Sequence, residues 1–143
     1  MEIKFIGQGL EPESDITTGN FIIDSLESHL YTSFNAFVAF VSIGGLKNII
    51  DQLITFKEKG GQVRLYLGVN LNATSKEALE ELLKYEIESY VVYSPNNIIY
   101  HPKIYAFEGV ANTRTIIGSS NLTVSGLFQN VEASVCVDLA NEL

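Results

Sequence analysis

The chain has 143 residues, a net charge of −8 and one cysteine. That length fits one domain, and it suffices to bury roughly 70% of the surface the unfolded chain exposes. A lone cysteine excludes a disulfide scaffold or a multi-cysteine zinc site. The 46% hydrophobic and 18% charged fractions are those of an ordinary globular chain. No apolar run reaches the ~18 residues a membrane span needs. The first ten residues carry Glu2 and Lys4 and contain no signal-peptide core. A soluble, cytoplasmic protein is therefore expected, with no membrane contact. Residues 1–143 are expected to form one domain, compatible with being the N-terminal part of a larger protein.

In chain order, residues 3–6 read as a strand. Residues 17–32 read as a helix, with Thr17 or Thr18 as its cap and Phe21, Ile22, Leu26 and Leu30 at helical spacing. Residues 34–42 are aromatic and β-branched without alternation, as in a buried strand. Gly44-Gly45 then turns the chain into a second helix marked by Leu46, Ile49, Ile50, Leu53 and Phe56, which Gly60-Gly61 stops. A strand over 62–68 follows. Next comes a helix from Lys76 to Tyr85 capped by Ser75, and then a strand over 88–93. Residues 102–108, 113–118 and 130–138 read as three strands in succession. Strands alternating with helices, then consecutive strands, predict an α/β fold: a mixed sheet with parallel crossovers first and antiparallel hairpins after.

The acidity is unevenly placed. Residues 75–88 hold Glu77, Glu80, Glu81, Glu86 and Glu88 against two lysines, which reads as a solvated helix face. Residues 95–131 hold Lys103 and Arg114 against Glu108 alone.

That second segment carries the chemistry. His101 and Lys103 are two apart, so on extended backbone they project to one side. Gly118-Ser119-Ser120-Asn121 ends a strand in a loop able to present amides and a hydroxyl to an anion. Glu132 stands within the apolar strand that follows. An imidazole, an ammonium, an amide and a carboxylate suit phosphate-ester chemistry. The imidazole can attack phosphorus, and Lys103 and Asn121 can neutralise the non-bridging oxygens. Glu132 can hold the Nδ1 proton of His101. Ser119 is read as a substrate-contacting hydroxyl. His29, Cys136 and the aromatics Tyr100, Tyr105 and Phe107 are read as structural.

The pattern His101-x-Lys103, Gly118-Ser119-x-Asn121, Glu132 resembles the HKD signature of the phospholipase D superfamily. Its single-motif bacterial nucleases are the nearest in look. They include metal-independent restriction endonucleases of the NgoFVII type and nuclease domains found beside helicases. One departure is Glu108, which stands where that motif carries an aspartate. The resemblance implies a phospholipase D-like mixed β-sheet flanked by helices on both faces. It implies a metal-independent phosphodiester hydrolase acting on DNA, with His101, Lys103, Asn121 and Glu132 as catalytic residues, Ser119 at the substrate, and neither metal nor cofactor. The family's reaction needs two histidines, so a chain with one motif implies a homodimer with a composite site. A non-catalytic DNA-binding or dimerisation module of a restriction or helicase system is the alternative from another class. A phospholipid hydrolase or transferase is the alternative among enzymes. The sequence shows no helix-turn-helix or zinc module to read bases, so sequence recognition is expected to fall to an additional DNA-recognition or helicase domain.

Overall fold

The computed structural model describes residues 1–11 and 13–141. The single-domain expectation therefore runs past them at Glu142 and Leu143. The elements are β1 (Glu2–Gln8), α1 (Thr18–Glu27), β2 (Ser33–Val38), α2 (Ile43–Lys47), α3 (Ile50–Glu58) and β3 (Gln62–Gly68). They continue with α4 (Lys76–Lys84), β4 (Glu88–Val92), β5 (Lys103–Glu108), β6 (Asn112–Gly118) and β7 (Glu132–Ala140).

The seven strands form one sheet in the order β1-β7-β6-β5-β2-β3-β4. The pairs β2–β3 and β3–β4 are parallel. The pairs β2–β5, β5–β6, β6–β7 and β1–β7 are antiparallel. This is the expected mixed α/β sheet, with crossovers in the first half and hairpins in the second.

The local signals explain most boundaries. Thr17 caps α1, its side chain accepting from Asn20 N, and Ser75 caps α4 by accepting from Ala78 N. Helix α1 stops at Glu27 rather than running to residue 32, because His29 turns to φ 60°. The second predicted helix is two. Helix α2 ends at Lys47, and Ile49, at φ −125° and ψ −4°, breaks the ladder before α3. Strand β2 ends at Val38, four residues earlier than expected, and Ser42 caps α2 instead.

The helices depart from expectation: they lie on one face of the sheet, not on both. The connections β1→β2, β2→β3 and β3→β4 each join parallel strands, and all advance in the same direction along the sheet order. A right-handed crossover repeated in one direction always places its helix on the same side. Side-chain burial agrees. On the helix face Ile6, Phe34, Ala36, Val38, Leu65, Leu67, Phe107, Ile116 and Cys136 are fully buried. They meet Ile22 of α1, Leu46 of α2 and Leu53 of α3 in one core. On the opposite face Phe5 is 64%, Ile117 50% and Tyr90 46% exposed. There Phe37, Tyr66 and Tyr90 stack across three strands, with ring centroids 4.7 and 5.1 Å apart.

Candidate active site

The residues singled out in the sequence converge at one end of the sheet. Lys103 opens β5 directly opposite Val38, the last residue of β2. Gly118 closes β6, and Glu132 opens β7. This is the end where the parallel strands β2 and β3 present their C-termini, the customary place for a ligand in an α/β sheet.

His101 lies two residues before the start of β5 and is exposed, and Lys103 folds back onto it. The ammonium of Lys103 lies 2.6 Å from His101 Nδ1, 3.1 Å from Nε2 and 3.1 Å from the His101 carbonyl. An ammonium can only donate, so whichever ring nitrogen it bonds is the acceptor. The imidazole also meets Phe40 edge-on, at 5.6 Å between centroids. Burial pulls the Lys103 ammonium below the ordinary lysine range, and the charge of Glu132 opposes that shift.

The loop from Gly118 to Asn130 brings the remaining groups. Gly118 is required because a Cβ there would stand 2.4 Å from the carbonyl of Ala133. Asn121 Oδ1 accepts from the amide of Phe40 at 3.3 Å, which leaves the NH2 group of that side chain to donate. The Glu132 carboxylate accepts from Ser119 Oγ and, at 3.2 Å, from Asn130 Nδ2. Ser119 Oγ also accepts from the Ala133 amide at 3.1 Å. So Glu132 is held by Ser119 and Asn130, whereas Nδ1 of His101 is faced by Lys103. The expected Glu132–His101 contact is not made, and the Ser119 hydroxyl is engaged by the protein.

Other parts of the site were not anticipated. Tyr105, two residues after Lys103 and on the same strand face, is fully buried and donates to the Ser120 carbonyl at 2.8 Å. Burial holds its hydroxyl far above the ordinary tyrosine range. Ser120 Oγ shares a 2.9 Å hydrogen bond with Thr18 Oγ1 at the start of α1. A single π-helical turn, Ser125–Gln129, ends the loop. Tyr105 and Phe107 are thus core residues, as read from sequence, and Tyr100 is tied by its hydroxyl to the Tyr66 carbonyl at 3.1 Å. Glu108 lies at the far end of β5, beside Ser33 and Thr113. Among the described residues, no three His, Cys, Asp or Glu side chains gather as metal ligands. No helix among them is long and apolar enough to cross a membrane.

Comparison with solved structures shows the same fold elsewhere. NucT from Helicobacter pylori superposes with a TM-score of 0.69 at 15% identity, over 94% of this chain and 84% of that one. Nuc from Salmonella typhimurium, a phospholipase D family member, gives 0.63 at 18% identity, over 94% and 80%. TrmBL2, an archaeal chromatin protein, gives 0.52 at 9% identity, over 96% of this chain and 46% of that one. No curated protein matches the sequence. The sequence model of the family described as "Cardiolipin synthase, PLD-like domain" matches residues 32–142, which hold His101, Lys103, Asn121 and Glu132. With a match over most of its length, the chain belongs to the PLD-like domain family.

Proposed function

We propose that this chain is a metal-independent phosphodiesterase that cleaves DNA, working as a homodimer through a phosphohistidine. The observation that carries the reading is the cluster itself. His101 and Lys103 touch, Asn121 stands on the adjoining loop and Glu132 at the start of β7, all at the C-terminal end of the parallel strands.

In the free chain the Lys103 ammonium lies against the ring nitrogens of His101. A phosphodiester anion offers that ammonium a better acceptor. Once Lys103 turns to a non-bridging oxygen the imidazole is released, and the neutral tautomer, reached by proton exchange with solvent and bearing its proton on Nδ1, leaves the Nε2 lone pair as the nucleophile. Nε2 attacks phosphorus, forming an N–P bond as the bond to the leaving oxygen breaks. The leaving oxygen takes a proton from His101 of a second copy. That second histidine then accepts a proton from water. The water oxygen attacks phosphorus, the N–P bond breaks, and His101 is restored. Lys103 and the NH2 of Asn121 from both copies stabilise the charge on the pentacovalent phosphorus. The exposure of His101 at the sheet end leaves room for the partner's copy.

The test is cleavage of plasmid and single-stranded DNA in excess EDTA by this chain and by His101→Ala. Cleavage that the variant loses is the expected result. No cleavage by either at high protein concentration would overturn the reading. It would favour a DNA-binding module, in keeping with the likeness to TrmBL2. The family's description names a lipid enzyme, so a parallel arm offers phosphatidylglycerol vesicles. Turnover there without DNA cleavage would assign phosphatidyl transfer or hydrolysis instead.

A further inference from the structure

Gln8 is the last residue of β1, outside the stretch matched by the family, and is 1% exposed. A buried carboxamide must satisfy its donors and its acceptor. Gln8 does so across three segments. Its Nε2 donates to the carbonyls of Gly126 and Asn130, each at 3.1 Å, and its Oε1 accepts from the Thr18 amide at 3.0 Å. In the β1–β7 register Gln8 lies directly opposite Glu132.

The geometry points to Gln8 as a positioning residue for the catalytic loop, acting on Glu132 through Asn130. This rests on the reading of His101, Lys103, Asn121 and Glu132 as the active site. Asn130 is held at its backbone carbonyl by Gln8 and at its amide by the carbonyl of Ser125, 2.7 Å away. So fixed, its side chain reaches the Glu132 carboxylate. The second bond, to Gly126, pins the π-helical turn, and Gly126 packs against the Asn121 backbone so closely that a Cβ there would stand 2.6 Å from the Asn121 carbonyl. One amide group thereby sets the loop bearing Asn121 and Asn130 relative to the sheet, and through Asn130 the carboxylate of Glu132 at the start of β7. Its third bond fixes the N-terminal turn of α1, from which Thr18 reaches Ser120. Gln8 touches no substrate. It governs where the carboxylate and the amide stand when substrate arrives.

The test compares wild type with Gln8→Met, which keeps length and removes all three bonds. Gln8→Glu serves beside it, keeping the acceptor for Thr18 but not the two amide donors. Steady-state cleavage should show kcat lowered about 10- to 100-fold, the usual effect of misplacing a catalytic group by about 1 Å, with KM changed less than about twofold. Amide hydrogen exchange gives an independent readout. The amides of 126–130 should lose protection in both variants, while those of α3 keep theirs. An unchanged kcat in either folded variant overturns the inference, as does unaltered protection at 126–130. If neither variant folds, Gln8 is a folding residue and the inference fails. If wild type itself shows no turnover, the proposed activity fails, and the exchange comparison still decides whether Gln8 clamps the loop.

Discussion

Val41 and Leu122 form an isolated parallel bridge. Leu122 N donates to the Phe40 carbonyl at 3.2 Å, and Ser42 N donates to the Leu122 carbonyl at 3.1 Å. The loop after β6 is thus threaded beside the chain that leaves β2, and Asn121 joins it by accepting from the Phe40 amide.

The bridge leaves no room for a side chain at Gly45, beneath the site. A Cβ there would stand 2.3 Å from the Leu122 carbonyl and 2.5 Å from Thr123 Cα, both backbone atoms that cannot swing aside. Gly45→Ala should destabilise the fold by about 2 kcal/mol or more through overpacking, and should lower cleavage further by displacing Asn121. Chemical denaturation and kcat on the same preparation check both effects.

Lys103 should trade stability for activity. Burial lowers its affinity for a proton relative to the unfolded chain. At neutral pH the charged form therefore carries its full desolvation penalty. Stability rises with pH only between the depressed value and the ordinary value near ~10.4. Lys103→Met should melt no lower than wild type at pH 7, yet lose DNA cleavage by about 10³-fold, the scale on which mutagenesis reads a lost charge-stabilising donor. A melting temperature well below wild type would show that Lys103 is a structural residue.

At the opposite end of the sheet, Arg114 grips Asp138 with two bonds, 2.7 and 2.8 Å, and reaches Ser25 of α1 at 3.0 Å. Arg114 holds the Asp138 carboxyl below its ordinary range. Its contribution is then complete above the ordinary carboxyl value of ~3.9 and fades as pH falls through the depressed value. Asp138→Asn should cost about 2 kcal/mol at pH 7, in line with charged hydrogen bonds. The gap from wild type should close below that window, as read by urea titrations at several pH values.

Cys136 is fully buried beside Asp138, and burial pushes its thiol up to about 11. At pH 8 the thiolate fraction is on the order of 0.1%. Iodoacetamide should leave the native protein unlabelled and label it fully in urea. Labelling of the native form would mean that β7 opens.

Legibility in the sequence followed the range of the interactions. The strand over 62–68 and the caps Thr17 and Ser75 are set by neighbours within a few residues, and they stand where the pattern placed them. His101, Lys103, Asn121 and Glu132 fall within one stretch of chain, so their spacing could be read directly. Gln8 could not be read this way, since its partners Gly126 and Asn130 lie more than a hundred residues on and only the β1–β7 pairing brings them together. The one-sided helix layer was hidden for a related reason. It depends on the order of strands in the sheet, which no local periodicity encodes. The division of α2 from α3 escaped because Asn48 and Ile49 interrupt the backbone without interrupting the apolar spacing.

Because the three crossovers share one direction, neighbouring positions on a strand live under opposite rules. Ile116 sits in the core at 0% exposure, while Ile117 is half exposed on the uncovered face. A lysine at 116 would strand a charge among hydrocarbon, whereas at 117 it would replace wetted apolar surface with a group that water solvates. Alternate residues of β1, β6 and β7 thus form two substitution alphabets interleaved on the same strands: one restricted by packing, the other tolerant of almost any side chain that favours extended backbone.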